Sequence, residues 1–494
     1  MKVKYTLGYD IGSSSVKAAL LEIATGKTVA SAFSPENEML IDVPKAGFAE
    51  QDPESWWREA INATNKLRAQ IAFKGEEIAA IGISYQMHGL VCVDRQGKSL
   101  RPSIIWCDSR AVEIGNKAFA SLGDQFCLER FLNSPGNFTA SKLKWVKENQ
   151  PEIYQQIDKI MLPGDFIALK LTGVATTTVS GLSEGIFWNF PEARVATELL
   201  DHYGIDPKLL SEIVPTFGEQ GRVTAEAASV LGLAEGTPVS FRAGDQPNNA
   251  CSLNVLQPGE VAATAGTSGV IYGVIDTVDY DKVSRVNNFV HVNHSAEHPR
   301  YGVLLCINGT GSLNSWLKRT FFPTHSYNQL NDIAAKAPIG SDGLKFYPFG
   351  NGAERVLENK DPGSSLQGLQ FYRHDQSHIA RAAQEGIVFA LRYGMEVMQE
   401  MGLVMKTIRA GHANMFLSDI FASTFANTTG CEIELYNTDG ASGAARAAGV
   451  GCGVFASLEE SYKGMEVIRR IEPDEKLQEQ TMNAYNDWKK HMSV

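Results

Sequence analysis

The chain has 494 residues, of which 44% are hydrophobic and 20% charged, and its formal net charge is −11. That length exceeds what one hydrophobic core normally holds, so we expect an ordinary soluble globular protein of two or more domains. No run of Lys or Arg forms a basic stripe, which argues against nucleic acid and against an anionic membrane surface as partners.

The seven cysteines are scattered, and no two of them form a CxxC pair. This distribution argues against a zinc site and a disulfide framework, and it is typical of a reducing cytosol. The N-terminal residues enter a strand pattern without the apolar core of a signal peptide, and no stretch approaches about 18 uninterrupted apolar residues. We therefore expect a cytoplasmic protein with no membrane span.

The N-terminal segment alternates strands and turns. "KYTLGYDI", "VKAALLEI" and "TVASAF" predict three strands, joined by the turns "GSSS" and "ATGK". A helix follows over "DPESWWREAINATNKLRAQI", with Asp52 as N-cap and Pro53 in the first turn. "IAAIGISY" and "GLVCVDRQG" predict two further strands, and strands and helices mix up to about residue 240. The pattern indicates the α/β class.

The pattern restarts near residue 259. "GEVAATAGTSGVIYGVID" again reads as strand, Gly-Thr-Ser turn and strand, which predicts two halves built on one plan. A long helix over "HIARAAQEGIVFALRYGMEVMQEM" and a strand-to-helix region follow, and the last 40 residues are charged and helix-prone. We predict one domain over residues 1–250, a second over 251–455, and a helical surface appendage over 456–494.

Two hairpin turns rich in Gly, Ser and Thr are candidate phosphate sites. One contains Gly12, Ser13 and Ser14, and the other contains Gly266 and Thr267. Backbone N–H groups and hydroxyls in such turns bind anions. One such turn alone is usually an ordinary hairpin, and it is the presence of two, one in each half, that raises a phosphate clamp to an equal alternative. The chain has no GxxxxGK[ST] motif, which excludes a Walker-type loop, and no GxGxxG motif follows the first strand.

Charged residues flank the first of these turns. Asp10 ends the first strand, and a carboxylate there would repel phosphate unless a cation such as Mg²⁺ lay between them. The alternative is an Asp that hydrogen-bonds its own turn. Lys17 is a candidate to add positive charge for ATP, or it is an exposed strand lysine.

Three further segments carry polar residues in turn-like settings. Asp245 lies in "AGDQPNNA", where turn-forming neighbours predict either a loop-capping Asp or a carboxylate held for chemistry. Met87 and His88 lie in "SYQMHGL" between two apolar strands, where a lone His is structural or catalytic. "INGTGSLNSW" and "RAGHANMF" are small-residue turns that suit the edge of a nucleotide or close packing.

Taken in chain order, these segments resemble the FGGY carbohydrate kinases of the sugar kinase, Hsp70 and actin superfamily. The similarity runs from Gly8 to about residue 455. Its segments include "GYDIGSSSVKAALL", "AEQDPESWW", "ISYQMHG", "IIWCDSR", "FTASKLKWVKENQPEIY", "GDQ", "GTSGV" and "SLQGLQFYRHDQSHIARAAQE". The resemblance implies two ribonuclease-H-like α/β domains flanking a deep catalytic cleft.

The resemblance also implies roles for single residues. Asp245 matches the general base that takes the proton from the sugar hydroxyl, and Asp10 matches the carboxylate near Mg²⁺. The other matches are phosphate contacts to ATP at Gly12, Ser13, Ser14, Gly266 and Thr267, adenosine contacts at Gly311, Gly411 and Asn414, and sugar contacts at Met87, His88, Asp245 and Gln246.

The activity implied is ATP- and Mg²⁺-dependent phosphorylation of a ketopentose, D-xylulose first, to give D-xylulose 5-phosphate. Another ketopentose, ribulose or glycerol is the alternative substrate, because Gln246, Pro247 and Asn248 depart from the Asn-Ala-Ala that often follows the base in the D-xylulose branch. A homodimer is the expected assembly. The rival interpretation is an ATP-gated module that uses the same fold without a small-molecule acceptor.

Overall fold

The computed structural model describes residues 3–492, and these residues divide into two compact units. The first unit comprises the chain up to Asn254, together with Asn288–Tyr301 and Thr438–Met465. The second comprises Val255–Asn287, Gly302–Asn437 and the chain from Glu466 onward. The domain division near residue 250 stays a prediction, and the first unit also includes two short segments from later in the chain.

The elements in chain order are as follows. The strands are β1 (Tyr5–Ile11), β2 (Val16–Glu22), β3 (Thr28–Ser34), β4 (Glu50–Gln51), β5 (Ile78–Tyr85), β6 (Val91–Val93), β7 (Ser103–Ile104), β8 (Lys159–Met161), β9 (Thr176–Thr177), β10 (Trp188–Asn189), β11 (Arg194–Val195), β12 (Glu212–Ile213), β13 (Val239–Gly244), β14 (Val261–Ala265), β15 (Gly269–Ile275), β16 (Asn287–Val290), β17 (Tyr301–Ile307), β18 (Lys345–Tyr347), β19 (Ser365–Gln367), β20 (Thr407–Gly411), β21 (Glu432–Tyr436) and β22 (Val467–Ile471). The α-helices are α1 (Pro53–Gln70), α2 (Val112–Leu122), α3 (Asp124–Phe131), α4 (Thr139–Asn149), α5 (Pro151–Tyr154), α6 (Pro163–Thr172), α7 (Val179–Glu184), α8 (Thr197–Tyr203), α9 (Ala225–Leu231), α10 (Asp245–Ser252), α11 (Gly311–Phe321), α12 (Tyr327–Ala334), α13 (Gln376–Glu400), α14 (Asp419–Thr429), α15 (Gly440–Gly451), α16 (Leu458–Ser461) and α17 (Glu475–Lys490). Short 3₁₀ helices span Gly75–Glu77, Pro207–Leu209, Ser341–Gly343, Arg355–Leu357 and Asn414–Leu417.

The first unit is built on a sheet in the order β13-β5-β1-β2-β3. β1, β2 and β3 form the predicted antiparallel meander, while β5 and β13 run parallel to β1. Because parallel strands end at the same edge of a sheet, the chain that follows β1, β5 and β13 emerges at one edge. This topology brings together segments that lie far apart in the sequence.

Helices cover both faces of that sheet. The Tyr9 hydroxyl shares a 2.6 Å hydrogen bond with Thr64 on α1. Gly8, which faces the other way because side chains alternate along a strand, packs directly against Ala441 and Ala445 on α15. Asp10 has the same orientation as Gly8 and therefore points toward the start of α15.

The second unit repeats this plan in its own sheet. Neighbouring strands of this sheet follow the order β17-β15-β14-β20-β21-β22. β14 and β15 form an antiparallel hairpin, and β20 runs parallel to β14. The predicted second strand-turn-strand segment is therefore present. The mixture of helices and sheets in both units confirms the predicted α/β class.

The C-terminal segment differs from the predicted surface appendage. β22 pairs antiparallel with β21 and extends the sheet of the second unit. The side chains of Tyr485 and Trp488 on α17 are each only 1% exposed, and the Trp488 indole donates a 2.9 Å hydrogen bond to the carbonyl of Phe346. Residues 456–465 belong to the first unit, so the segment is built into the fold rather than attached to it.

The stretch "AGDQPNNA" also differs from the predicted turn. It contains the end of β13 and the first residues of the helix α10, which begins at Asp245. Pro247 fits the first turn of a helix because its missing N–H would have no helical acceptor there. Elsewhere, helix α1 begins as predicted, with the Asp52 carboxylate accepting from the N–H of Glu54 at 3.1 Å. Among residues 3–492, no helix combines the length and hydropathy needed to cross a bilayer.

Candidate active site

The first Gly-Ser turn joins β1 to β2 and is accessible at its tip. The N–H of Gly12 donates to the carbonyl of Ser15 at 3.0 Å, which closes the turn. The side chain of Gln51 donates to the carbonyl of Ser13 at 2.7 Å, and Ser14 is exposed. The turn is therefore held from its inner side while the Ser14 side chain lies in solvent.

Asp10 lies at the end of β1 beside this turn. Its carboxylate accepts a 2.8 Å hydrogen bond from the hydroxyl of Ser84 on β5. On its other side lies the backbone of Gly440 at the start of α15, packed so closely that a Cβ there would collide with the carboxylate. Burial raises the pKa of Asp10, and the charge of Asp439 adds to this rise.

Lys17 lies across the hairpin from Asp10, its direct partner in the β1–β2 pairing. Its ammonium donates to the carboxylate of Asp439 at 3.1 Å, and both side chains are about one-third exposed, at 38% and 33%. Asp439 also caps α15 by accepting from the N–H of Ser442 at 2.8 Å. Although burial opposes the effect, the Lys17 charge contributes to a lowered pKa for Asp439. Lys17 is thus an ion-paired residue beside the turn rather than a simple solvent-exposed lysine.

Asp245 is the first residue of α10 and follows the end of β13. Its pKa is raised to about 7, first because the surrounding protein keeps water from the carboxyl group and then because Asp10 carries a nearby negative charge. Hydrogen bonds from Gln246 oppose this rise. At neutral pH a carboxyl group with this pKa exchanges readily between its acid and base forms.

The residues after Asp245 have different surroundings. Gln246 hydrogen-bonds the Asp245 carboxyl group and remains half-buried. Asn248 is fully buried, and its side-chain amide donates to the carbonyl of Gly440 at 2.9 Å. Asn248 therefore ties α10 to the start of α15, the same residue that packs against Asp10.

Met87 and His88 follow β5 at the same edge. Met87 is buried, and His88 has a backbone φ of 61°, in the left-handed region. The His88 ring lies edge-on to Phe138 with ring centres 4.9 Å apart, and its Nδ1 is 3.0 Å from the carbonyl oxygen of Glu184. Because a carbonyl can only accept, this bond places a hydrogen on Nδ1.

Several buried charged residues near these positions were missed by the sequence analysis. Lys142 is fully buried and donates to the carbonyls of His88 and Ile105 at 2.8 and 2.9 Å, and burial lowers its pKa to about 8. Arg242 and Asp165 form a buried ion pair at 2.9 Å. In the sequence, each of these three residues is marked only by being a charged residue among apolar or small ones. An amphipathic surface helix shows the same pattern, so the pattern does not predict burial.

The second unit brings together its own predicted residues. The N–H of Gly311, at the start of α11, donates to the carbonyl of Gly266 at 2.9 Å, and the N–H of Ser312 donates to that of Thr267 at 3.0 Å. The Asn414 side chain lies 3.6 Å from the position of a Cβ on Gly266. Gly411 ends β20, which is parallel to β14 and leads into the turn before Asn414.

Known proteins resemble the chain over almost all of its length. Residues 5–251 match the model of the FGGY family of carbohydrate kinases, N-terminal domain, and residues 261–452 match that of the C-terminal domain. The xylulose kinase of Bacillus subtilis is 30% identical over 462 residues, 93% of this chain and 90% of that protein. The chain belongs to the FGGY family of carbohydrate kinases and is a sugar kinase.

Solved structures confirm the fold. The xylulose kinase of Rhodospirillum rubrum has a TM-score of 0.86 at 26% identity, covering 99% of this chain and 98% of that one. A gluconate kinase from Lactobacillus acidophilus has a TM-score of 0.88 at 25% identity, covering 99% and 97%. The predicted two-domain α/β fold of the sugar kinase superfamily is therefore confirmed.

Proposed function

We propose that this protein transfers the γ-phosphoryl group of ATP to the terminal hydroxyl of D-xylulose, giving D-xylulose 5-phosphate. The observation that carries the proposal is the position of Asp245, which directly follows β13. Asp10 near the end of β1, and Met87 and His88 just after β5, lie at the same edge of the sheet. The xylulose kinases among its relatives support the choice of sugar. A cytoplasmic location and a homodimer are further predictions.

Asp245 acts as the general base. A carboxylate with a pKa of about 7 is ionised in about half the molecules at neutral pH and is basic enough to accept the proton that the sugar hydroxyl loses. Phosphoryl transfer depends on positioning and charge neutralisation more than on covalent catalysis. Met87 and His88 form one side of the sugar site, here called the sugar wall, which orients the ketose. Gln246 holds the Asp245 carboxyl group in place through a hydrogen bond.

Asp10 and Asp245 suit a Mg²⁺ ion. The negative charge of Asp10 raises the pKa of Asp245, so a divalent cation bound near the two carboxyl groups would reduce the repulsion between them. Mg²⁺ commonly binds through one or two carboxylates, waters and phosphate oxygens, and when bound it would neutralise charge on the transferring phosphate. In this chain Asp10 is the residue that would hold it, because Ser84 and Gly440 fix the orientation of its carboxylate.

The two hairpin turns bind the phosphates of ATP. In the first unit Gly12, Ser13 and Ser14 offer backbone N–H groups and hydroxyls, and in the second unit Gly266 and Thr267 do the same. Gly311 and Asn414 lie beside the second turn, and together with Gly411 at the end of β20 they contact adenosine.

Replacing Gly311 by alanine should weaken ATP binding. A Cβ at this position would collide with the carbonyl of Gly266, so the turn must move. We expect the KM for ATP to rise about tenfold or more, since a displacement of about 1 Å in a binding group can cost 10²-fold in rate. Steady-state assays at saturating sugar test this, and an unchanged KM for ATP would contradict the role of this turn.

The rate should fall in acid because the base must be ionised. The raised pKa of Asp245 means that its base form is lost as the pH falls through about 7. We expect kcat to be nearly constant above pH 8 and to fall about tenfold per pH unit well below pH 7. A pH profile of kcat that stays flat down to about pH 5 would contradict Asp245 as the base with this pKa.

A panel of acceptors tests the substrate. ADP release is measured with D-xylulose, D-ribulose, glycerol and gluconate, and we expect the highest kcat/KM for D-xylulose. A higher kcat/KM for any other acceptor would reject D-xylulose while leaving the kinase class intact. Equal ATP turnover with and without every sugar would instead support the ATP-gated module.

A different acceptor in the same family is the second candidate function. Gln246, Pro247 and Asn248 are the residues that favour it, because they depart from the D-xylulose pattern directly after the base. The side-chain amide of Asn248 faces Gly440, which makes Gln246 the residue of the three better placed to contact a sugar. A Gln246→Asn variant that changes the ranking of acceptors in the panel would support this candidate.

A further inference from the structure

Glu184 is a buried acidic residue beside the proposed sugar wall and the proposed base. It is the last residue of α7, and it is only 1% exposed. Its Oε2 lies 2.6 Å from the position that a Cβ on Gly244 would occupy, and the Cγ of Met87 lies at the same distance from that position. The missing side chain of Gly244 therefore lets Glu184 and Met87 reach the end of β13, one residue before Asp245.

The backbone of Glu184 also contacts the sugar wall. Its carbonyl oxygen accepts from Nδ1 of His88 at 3.0 Å, which fixes the orientation of the His88 ring. Glu184 thus lies beside Met87 and Gly244 with its side chain, and its main-chain carbonyl holds the His88 ring. A displacement of Glu184 would therefore alter the packing of Met87, His88 and Gly244.

Charged and titratable groups on several neighbouring elements interact with Glu184. Burial raises the pKa of Glu184 well above its usual range, and the charges of Asp245 and Asp165 add to this rise. Hydrogen bonds from Tyr85 and from the backbone of His88 oppose it. The cations nearby are Arg242, which is paired with Asp165, and Lys142, which is bound to two carbonyls.

We propose that Glu184 is a positioning residue that stays protonated, so that it packs the end of β13 against Met87 and His88 without placing a second negative charge beside Asp245. Two acidic groups whose surroundings push their pKa values apart take different roles, one as a neutral acid and the other as the base. The kinetic consequences of this inference rest on the proposed function, but the protonation of Glu184 does not.

Infrared spectroscopy tests the protonation without any sugar. Spectra of the full-length wild type, Glu184→Gln and the matched control Glu226→Gln are compared at a pH about two units above the pKa of Asp245, where Asp245 is ionised. Glu226 is an exposed residue of α9. We expect the band of a protonated carboxylic acid to be lost in Glu184→Gln and kept in Glu226→Gln. Identical bands in the wild type and Glu184→Gln would overturn the proposal.

Kinetics test the positioning role. With the acceptor that the panel selects, we expect Glu184→Ala to lower kcat about 30-fold or more and to move the acidic limb of its pH profile to lower pH, because water then hydrates the Asp245 carboxylate. Glu184→Gln should recover most of the lost rate with the limb close to that of the wild type. The proposal is overturned if Glu184→Ala keeps kcat within about twofold.

The glutamine variant covers the case in which Glu184→Ala does not fold. If Glu184 is neutral, exchanging its hydroxyl for an amide leaves the charge around Asp245 unchanged. A shift of about one pH unit or more in the acidic limb of Glu184→Gln would show that the native residue is ionised and would overturn the proposal. If D-xylulose fails in the panel, the infrared result still decides whether Glu184 is protonated.

Discussion

Asp245→Asn is expected to lower kcat about 10²–10⁴-fold, which is the usual contribution of a general base. Asparagine has the same shape and can still begin α10 and hydrogen-bond Gln246, but it cannot accept the proton of the sugar hydroxyl. The affinities for the sugar and for ATP should change little, because the removed function acts in the transition state. Steady-state kinetics and calorimetric binding measure the two effects separately.

The matched control for this variant is Asp201→Asn, at an exposed aspartate of α8 in the same unit. It should retain the wild-type kcat. A turnover of Asp245→Asn close to that of the wild type would contradict the role of Asp245. A loss of sugar binding with normal kcat at saturation would instead make Asp245 a binding residue.

Asp10→Asn is expected to have the second largest effect. We expect kcat to fall about 10²-fold, because the variant loses a carboxylate placed to stabilise the charge around the transferred phosphate. The acidic limb of the kcat profile should also move to lower pH, since the charge of Asp10 is one of the two main causes that raise the pKa of Asp245. The Mg²⁺ concentration needed for half-maximal rate should rise.

These three effects separate Asp10 from a residue that only supports the turn. Asp10 accepts a hydrogen bond from Ser84, and asparagine can keep that bond through its carbonyl oxygen. A structural role alone would therefore leave the pH profile and the Mg²⁺ dependence unchanged in Asp10→Asn. Unchanged profiles together with a wild-type kcat would contradict the proposed site.

Local patterns predicted much of the fold. The meander of β1, β2 and β3 follows from strands separated by Gly- and Ser-rich turns, and α1 follows from the cap at Asp52. The second hairpin was predicted from the same pattern, and β14 and β15 pair as expected. These features depend on residues within a few positions of each other, which is the range that sequence patterns describe.

Two misread stretches show where local patterns fail. Asp245–Asn249 is rich in turn-forming residues, yet it forms the start of α10. Pro247 is compatible with either conformation, because a first helical turn needs no N–H from it. The C-terminal segment looks exposed because it is rich in charged residues. Two of its aromatic residues, Tyr485 and Trp488, nevertheless share one face of α17 and pack into the second unit.

The candidate site could be predicted residue by residue but not as an assembly. Asp10 and Asp245 come close together because β1, β5 and β13 run parallel in one sheet and end at the same edge. The role proposed for Glu184 depends on burial and on Gly244, and both follow from tertiary packing rather than from spacing. The resemblance to the family singled out Asp10 and Asp245, whereas no sequence pattern singled out Glu184.

If this chain transfers phosphate from ATP to D-xylulose with Asp245 as the base, its product is a sugar phosphomonoester. Phosphorus NMR of a mixture of the protein, MgATP and D-xylulose is the decisive experiment, because it detects the product itself as well as the loss of ATP. We expect a sugar phosphomonoester signal that grows in step with ADP, and that grows about 10²–10⁴-fold more slowly with Asp245→Asn. Inorganic phosphate without a sugar phosphomonoester, or an equal product signal with Asp245→Asn, would contradict this proposal.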